Sequence, residues 1–401
     1  MLDLKHGLGL SNCSIRKVGI ARMHDVAIIG GGPAGCYTAH ELARDGFDVV
    51  VLEKNGTCGE PPVCTGVVGV EAFEKFSLPG DSILAQVKDI QFVSPSGKLL
   101  PYHPRHVQAH VVDRVRFNDG LRKMALSSGA SLREGTACVD IRVLPGHVEL
   151  KTSSNGDYVR ARAAVLACGH NPKMTKKLRL GEIADYYEGA QTEILMDNLS
   201  VTEIYLGRNV APSSFAWAVD LKDGRARVGL ITRKGASKFL QSFLNSHFLK
   251  RRIREAGSIL QRTIPFGGLE RTYSDRLLAV GEVAGQVKTT THGGIYYGLI
   301  AAQAAAETLS DALHRDDLGA QRLEAYERRW RALLEPELQK GQFFRRFFEH
   351  LSDPHIDRLF SLALKDGVLD LIHKKAVFDW HGELIASLME HTLIKRFTSW
   401  L

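Results

Sequence analysis

Gly30-Gly31-Gly32-Pro33-Ala34-Gly35 near the start of the chain, and Gly281-Glu282-Val283-Ala284-Gly285 with His292-Gly293-Gly294-Ile295 far downstream, are the residues best suited to hold a phosphate-bearing ligand. In the first cluster one glycine permits a tight turn, a second lets backbone approach a pyrophosphate, and a third lets a helix pack on a strand. A helix N-terminus offers unpaired N–H groups and a dipole that favours negative charge. Glu53, with Lys54 beside it, ends the next apolar run, where an acid accepts hydrogen bonds from ribose hydroxyls. A turn that cradled one nucleotide would need no second cluster. The downstream cluster can present the Gly293 and Gly294 N–H groups to the N1/O2 edge of a flavin, where reduction places negative charge. One long ligand, FAD, held at both ends accounts for both clusters. A structural glycine turn is the competing reading.

The flanking elements fit. Asp25–Ile29 is a short apolar run feeding into Gly30, Ala34–Asp45 has helical periodicity, and Asp48–Leu52 is a second buried strand ending at Glu53, which makes a βαβ unit. A loop-rich stretch, Asn55–Gly69, follows. Strands are expected near Ile90–Val93, Lys98–Tyr102, Ala130–Arg133 and Ala163–Ala167, a helix over Val115–Ser127, and a hairpin from Val139–Val143 and His147–Lys151. From Tyr187 to Thr232 the pattern becomes short alternating strands, with Lys222-Asp223-Gly224 as a hairpin turn. Ala236–Glu255 reads as a basic helix, Leu277–Val280 as a returning parallel strand, Gly294–Ala312 as a long helix, and everything after Gln321 as helices. The fold class expected is α/β: a Rossmann-type FAD-binding domain with an inserted antiparallel β-sheet substrate domain and a C-terminal helical region. The limits drawn are 1–24 as a flexible leader, 25–86 with 107–180 and 270–315 for FAD, 87–106 with 181–269 for substrate, and 316–401 for the helices.

Composition bounds the rest. The 401 residues are 44% apolar and carry a net charge of +7. No apolar run approaches the roughly 20 residues of a bilayer span. The leader lacks the apolar core of a secretory signal, so export is not expected, and Met23 is an alternative start. Six cysteines without CxxC spacing read as reduced cytoplasmic thiols, with no metal site. The positive charge suits nucleic acid, an anionic membrane or phosphorylated ligands, but no nucleic-acid motif accompanies it, so none is expected as a partner.

Several motifs together resemble the geranylgeranyl reductases, within the flavoprotein group typified by p-hydroxybenzoate hydroxylase. They are Pro61-Pro-Val-Cys64-Thr65-Gly66, Val112-Asp-Arg114-Val-Arg-Phe117-Asn, Ile204-Tyr-Leu-Gly207, Phe215-Ala-Trp217, and Val280-Gly-Glu-Val-Ala-Gly285 with Gly293-Gly-Ile-Tyr-Tyr297. The chain departs from that family at Phe215–Asp220, which lacks a tyrosine and a Phe-Pro end. It departs again at His292 and Thr289, where glycine and proline are usual. The resemblance implies reduction of isolated C=C bonds of a prenyl lipid, quinone tail or diphosphate. Such a bond has no carbonyl to polarise it, so hydride transfer from flavin N5 requires a proton donor in a dry, apolar site.

The resemblance nominates Cys64 as that donor, since a thiol is still protonated near neutrality; a small buried hydrophobe is the alternative. His292, expected to be neutral at a helix start, and Tyr296 are rival donors. Trp217 and Phe215 wall an apolar tunnel or belong to plain core, and Tyr297 either lines the pocket or packs. Arg114 reaches the FAD phosphates or is a solvated helix arginine. Cys168-Gly169 replaces the Asp-Gly of aromatic hydroxylases, which argues against hydroxylation. Even so, a flavin monooxygenase acting on an aromatic substrate remains the alternative function. Phe343–Phe348 and Ile394–Trp400 mix rings with cations and suit either a peripheral membrane surface on the inner face or an ordinary helical cap. No second dinucleotide loop appears, so NAD(P)H visiting transiently or a ferredoxin-type protein is the electron donor. The assembly is a monomer or homodimer.

Overall fold

The computed structural model describes residues 22–56, 63–154, 157–364 and 367–392. Five strands lie side by side and parallel, in the order Leu277–Ala279, Tyr158–Leu166, Met23–Ile29, Val49–Leu52 and Ser131–Arg133. Successive side chains of a strand point to opposite faces, and here both faces are covered. Val26, Ile28, Val49 and Val51 meet the helices Pro33–Arg44, Arg114–Ser127 and Ile295–His314. Ala27, Ile29, Val50 and Leu52 meet a layer built on strands Cys138–Val143 and Val148–Thr152. Burial on both sides is why these runs are apolar without alternation. All five strands run the same way, so Gly30, Glu53 and Val280-Gly281 emerge at one edge, the carboxyl end where such sheets bind ligands.

A second sheet of eight strands carries Ile253–Ala256, Tyr186–Met196, Arg225–Thr232, Ala216–Lys222, Thr202–Tyr205, Ile90–Val93 and Leu99–Tyr102 in that order, with Leu260–Pro265 also pairing with Tyr186–Met196. One pair, Ile90–Val93 with Thr202–Tyr205, is parallel, so the sheet is mixed and not purely antiparallel. The hairpin turn is as expected: Asp223 and Gly224, between the paired Lys222 and Arg225, both have positive φ, 53° and 72°, as a two-residue hairpin of matching twist requires. Helix Ala236–Leu244 covers one face through Leu240, Phe243 and Leu244. The opposite face, with Trp217, Val219 and Ile231, meets a three-stranded sheet of Val67–Gly69, Ala109–Val112 and Ile83–Val87. The helix read over Ala236–Glu255 is therefore half as long. Its apolar stripe ends at Leu244, and Ile253–Ala256 pairs as an edge strand instead. The stretch read as loop over Asn55–Gly69 ends in strand Val67–Gly69.

Helix Ala320–Glu349 lays Leu323, Tyr326, Trp330, Leu334 and Leu338 against the Ile295–His314 layer, at the three- and four-residue spacing of a buried helical face. It then crosses to the second sheet, where Glu349 accepts from the Tyr187 hydroxyl. Phe343–Phe348 does not present a cationic face. Arg345 is 3% exposed and donates to the carbonyls of Ser213 and Thr290. Phe347 and Phe348 pack with Leu351, Ile356 and Phe360, so only Phe343 and Arg346 point outward. Most of this segment packs inward, as in a helical cap; Ile394–Trp400 lies outside the described residues. Among the described residues no helix is long and apolar enough to cross a membrane.

Candidate active site

The first glycine cluster is shaped by close approach. Gly30 has φ +110°, and a Cβ there would lie 2.4 Å from the Ala167 carbonyl oxygen. A Cβ on Gly35 would lie 2.0 Å from the Gly30 oxygen, so the helix can sit on the turn only with glycine there. Gly32 is different. A Cβ on it would meet nothing within 4 Å, which leaves backbone facing open space at the mouth of helix Pro33–Arg44. Glu53 braces the loop: Oε2 accepts from Gly31 N–H at 2.7 Å and Oε1 from Asn55 N–H at 3.0 Å. Lys54 next to it is exposed.

The second cluster joins the first. A Cβ on Gly281 would come 3.1 Å from the Ala34 Cβ, so the two turns touch. Gly285, at φ +74°, backs onto the Gly267 carbonyl. Gly294 caps helix Ile295–His314, whose first intrahelical bond runs from Gly298 to the Gly294 oxygen, leaving the N–H groups of the first turn for another acceptor.

The cysteine loop is held by side chains of the second sheet. The carbonyl of Val63 accepts from Arg262 Nη1 at 3.3 Å, that of Cys64 from Gln191 Nε2 at 3.3 Å, and that of Thr65 from Arg227 Nη1. Pairing explains why these donors share a face: Gly189 stands opposite Arg262, Gln191 opposite Gly229, and Glu193 opposite Arg227. Gly66 has φ +73°, and a Cβ there would crowd the Val112 oxygen at 2.8 Å. Its N–H points to the Cys64 sulfur at 3.4 Å. Burial opposes ionisation of the Cys64 thiol, but the Arg114 and Arg262 guanidiniums and the Gly66 N–H outweigh it and hold the thiol below its ordinary range. A more acidic thiol releases its proton more readily than the ordinary cysteine expected from sequence. Arg114 is not a solvated arginine. It is 8% exposed, donates to Asn118 Oδ1 at 3.0 Å, and keeps a buried Nε without a partner.

The other candidates separate. His292 takes a left-handed φ of +58°, the conformation that makes glycine natural at this position, and both its ring nitrogens are buried without partners. Its ring lies 4.4 Å from that of Tyr187. Burial, then Arg345 and Arg233, keep it neutral by pushing its pKa well below the usual value. Neutrality was expected from the helix dipole, but desolvation is the larger cause. Tyr296 is tied off: its hydroxyl donates to Glu71, which also accepts from Trp380, and burial and Glu71 push its pKa upward. It is accordingly a far weaker donor than Cys64. Tyr297 donates to the Asp379 carbonyl at 3.2 Å and packs on Trp380. Trp217 and Phe215 adjoin, ring centroids 5.9 Å apart, and the buried Trp217 Nε1 has no partner.

Sequence reasoning missed Gln191, Arg227 and Arg262, as well as the buried ion pair of Lys288 with Asp379 at 2.5 Å. The available signal was a polar residue at an inward position of an apolar strand, as Arg227 is within Arg225–Thr232. The residues fit FAD: open space at Gly32, unpaired N–H groups after Gly294, and orphaned nitrogens on Arg114 and His292.

Residues 24–195 match the model of a family described as pyridine nucleotide-disulphide oxidoreductase. The chain is 28% identical over 353 residues to a digeranylgeranylglycerophospholipid reductase of Methanocaldococcus jannaschii, covering 84% of this chain and 90% of that protein. The resemblance to the geranylgeranyl reductases is borne out. A geranylgeranyl bacteriochlorophyll reductase-like protein of Thermoplasma acidophilum superposes with TM-score 0.83 at 20% identity, over 95% of this chain and 100% of that one. A variant of the halogenase PltM in complex with FAD superposes less well, with TM-score 0.70 at 15% identity over 95% of this chain and 86% of that one, and shares the fold alone. The chain has the Rossmann-type FAD fold of an oxidoreductase.

Proposed function

We propose that this chain saturates isolated C=C bonds of a geranylgeranyl-type chain carried by a lipid, quinone or diphosphate. What carries the reading is the placement of the Cys64 loop, pinned between the second glycine cluster and the second sheet in a chain that aligns over most of its length with a protein named for prenyl-lipid reduction. Bound FAD, when reduced, supplies the hydride from N5. Cys64 supplies the proton, and the Gly66 N–H, Arg114 and Arg262 stabilise the thiolate left behind and so make the thiol more acidic. Trp217, Phe215 and the tilted Tyr187–His292 ring pair wall the apolar side and exclude water. Neutral His292 places no charge beside the alkene. Electrons reach the protein from NAD(P)H or a ferredoxin-type donor. A lipid or quinone carrier resides in the bilayer, so for such a substrate the protein works in the cytoplasm at the inner membrane surface, as a monomer or homodimer.

The test is anaerobic incubation of the dithionite-reduced protein with a geranylgeranyl glycerolipid, followed by mass spectrometry of the lipid. Gain of two hydrogens per bond supports the reading, and an unchanged lipid with fully reduced protein refutes it.

A further inference from the structure

Arg262 is the one side chain among the described residues that holds both the cysteine loop and the second glycine cluster. Nη1 donates to the Val63 carbonyl at 3.3 Å, and Nη2 donates to Glu282 Oε2. It stands on strand Leu260–Pro265, paired opposite Gly189 of strand Tyr186–Met196. Lysine has a single ammonium and cannot span two acceptors in this planar way. We propose that Arg262 is a positioning residue for Cys64. Through Glu282 it ties the thiol's loop to the glycine cluster, so the thiol and the cofactor cleft keep a fixed relation.

The groups facing Cys64 come from five elements. Arg114 approaches from helix Arg114–Ser127, Arg262 from its strand, Arg227 with its partner Glu193 from the centre of the second sheet, and Glu282 acts through Arg262. Gln191 is neutral and holds only the Cys64 carbonyl. Two cations therefore act directly on the sulfur, and one of them is partly neutralised by Glu282. This arrangement predicts opposite consequences for removing the cation and for removing its anion. A merely structural brace would give neither.

The inference rests on Cys64 being the proton donor, but its first readout needs no turnover. The full chain as purified is alkylated with iodoacetamide across a pH series, and labelling of Cys64 is followed by peptide mass spectrometry. Arg262→Gln raises the pH midpoint of Cys64 labelling by about one unit, as expected for loss of a neighbouring opposite charge. Glu282→Gln lowers it. Arg262→Lys keeps the wild-type midpoint, and in the lipid assay it loses about tenfold in kcat with KM unchanged, since the charge stays and the two-headed tie is lost. Should Arg262→Gln not fold, the Glu282→Gln and Arg262→Lys pair decides. Midpoints that do not move in folded Arg262→Gln and Glu282→Gln overturn the proposal, as does full catalytic rescue by lysine. If no lipid is ever reduced but the midpoints move in opposite directions, the proposed reaction fails while the tie to Cys64 stands.

Discussion

The two sheets hold their share of the site by different means. At the carboxyl edge of the parallel sheet, recognition is done by backbone: Gly30, Gly32, Gly35 and Gly281 are chosen for what a side chain would obstruct. On the second sheet it is done by side chains: Gln191, Arg227 and Arg262 reach out to three consecutive carbonyls of the cysteine loop. A backbone cradle tolerates no added atoms where its turns touch their neighbours, as at Gly30 and Gly35. A side-chain clamp tolerates small changes of shape but depends on strand register, because a one-residue slip would turn all three donors away.

The contrast can be broken first at Gly35. Gly35→Ala places a Cβ against the Gly30 oxygen and should abolish FAD binding, read as loss of the visible flavin band from purified protein. Gly32→Ala should fold normally and only weaken FAD, because its Cβ meets open space. On the clamp side, Cys64→Ala should retain FAD and lower the rate of lipid reduction by about 10²–10⁴-fold, the usual worth of a positioned acid. The C-terminal cap is next. Asp379→Ala leaves Lys288 buried without its partner and should cost about 3–5 kcal/mol by urea denaturation. Gly229→Ala drives a Cβ to 2.4 Å from Trp217 Cζ2 and should cost about 1–3 kcal/mol by the same measurement.

Stability also depends on pH. Burial and neighbouring cations depress the folded pKa of His292 and of His381, the latter to about 4. The unfolded chain binds these protons nearer pH 6.5. Folded stability is therefore full above that value and falls as pH drops towards 5, by about 1.4 kcal/mol per unit for each histidine. Urea midpoints at pH 7 and pH 5 measure it. His292→Asn should remove about half of the slope, and a flat wild-type profile would contradict the burial of neutral rings.

What could be read from the sequence follows the same division. Glycine spacing and unbroken apolar runs are local signals, so the parallel sheet, its helices and both turns were legible. The donors to the cysteine loop were not. Arg262 comes from a strand that was not read at all, and its role depends on Val63, which lies far from it in sequence and beside it in space. Helix Ala236–Leu244 was overextended because the basic residues after it keep a helical look, while pairing with Tyr186–Met196 decides the conformation of Ile253–Ala256. The sequence leaves Phe343–Phe348 open between a membrane surface and a helical cap, because its basic and aromatic residues suit either. The carbonyls of Ser213 and Thr290 that take Arg345 inside come from elsewhere in the chain.

The most direct test of the account is a single turnover. The protein is reduced with stoichiometric dithionite under strict anaerobiosis, mixed with a geranylgeranyl lipid, and followed at the flavin absorption band. The account predicts that colour returns in step with saturation of the lipid and that Cys64→Ala stays bleached. Colour that returns only on admitting oxygen, with the lipid untouched, would contradict it.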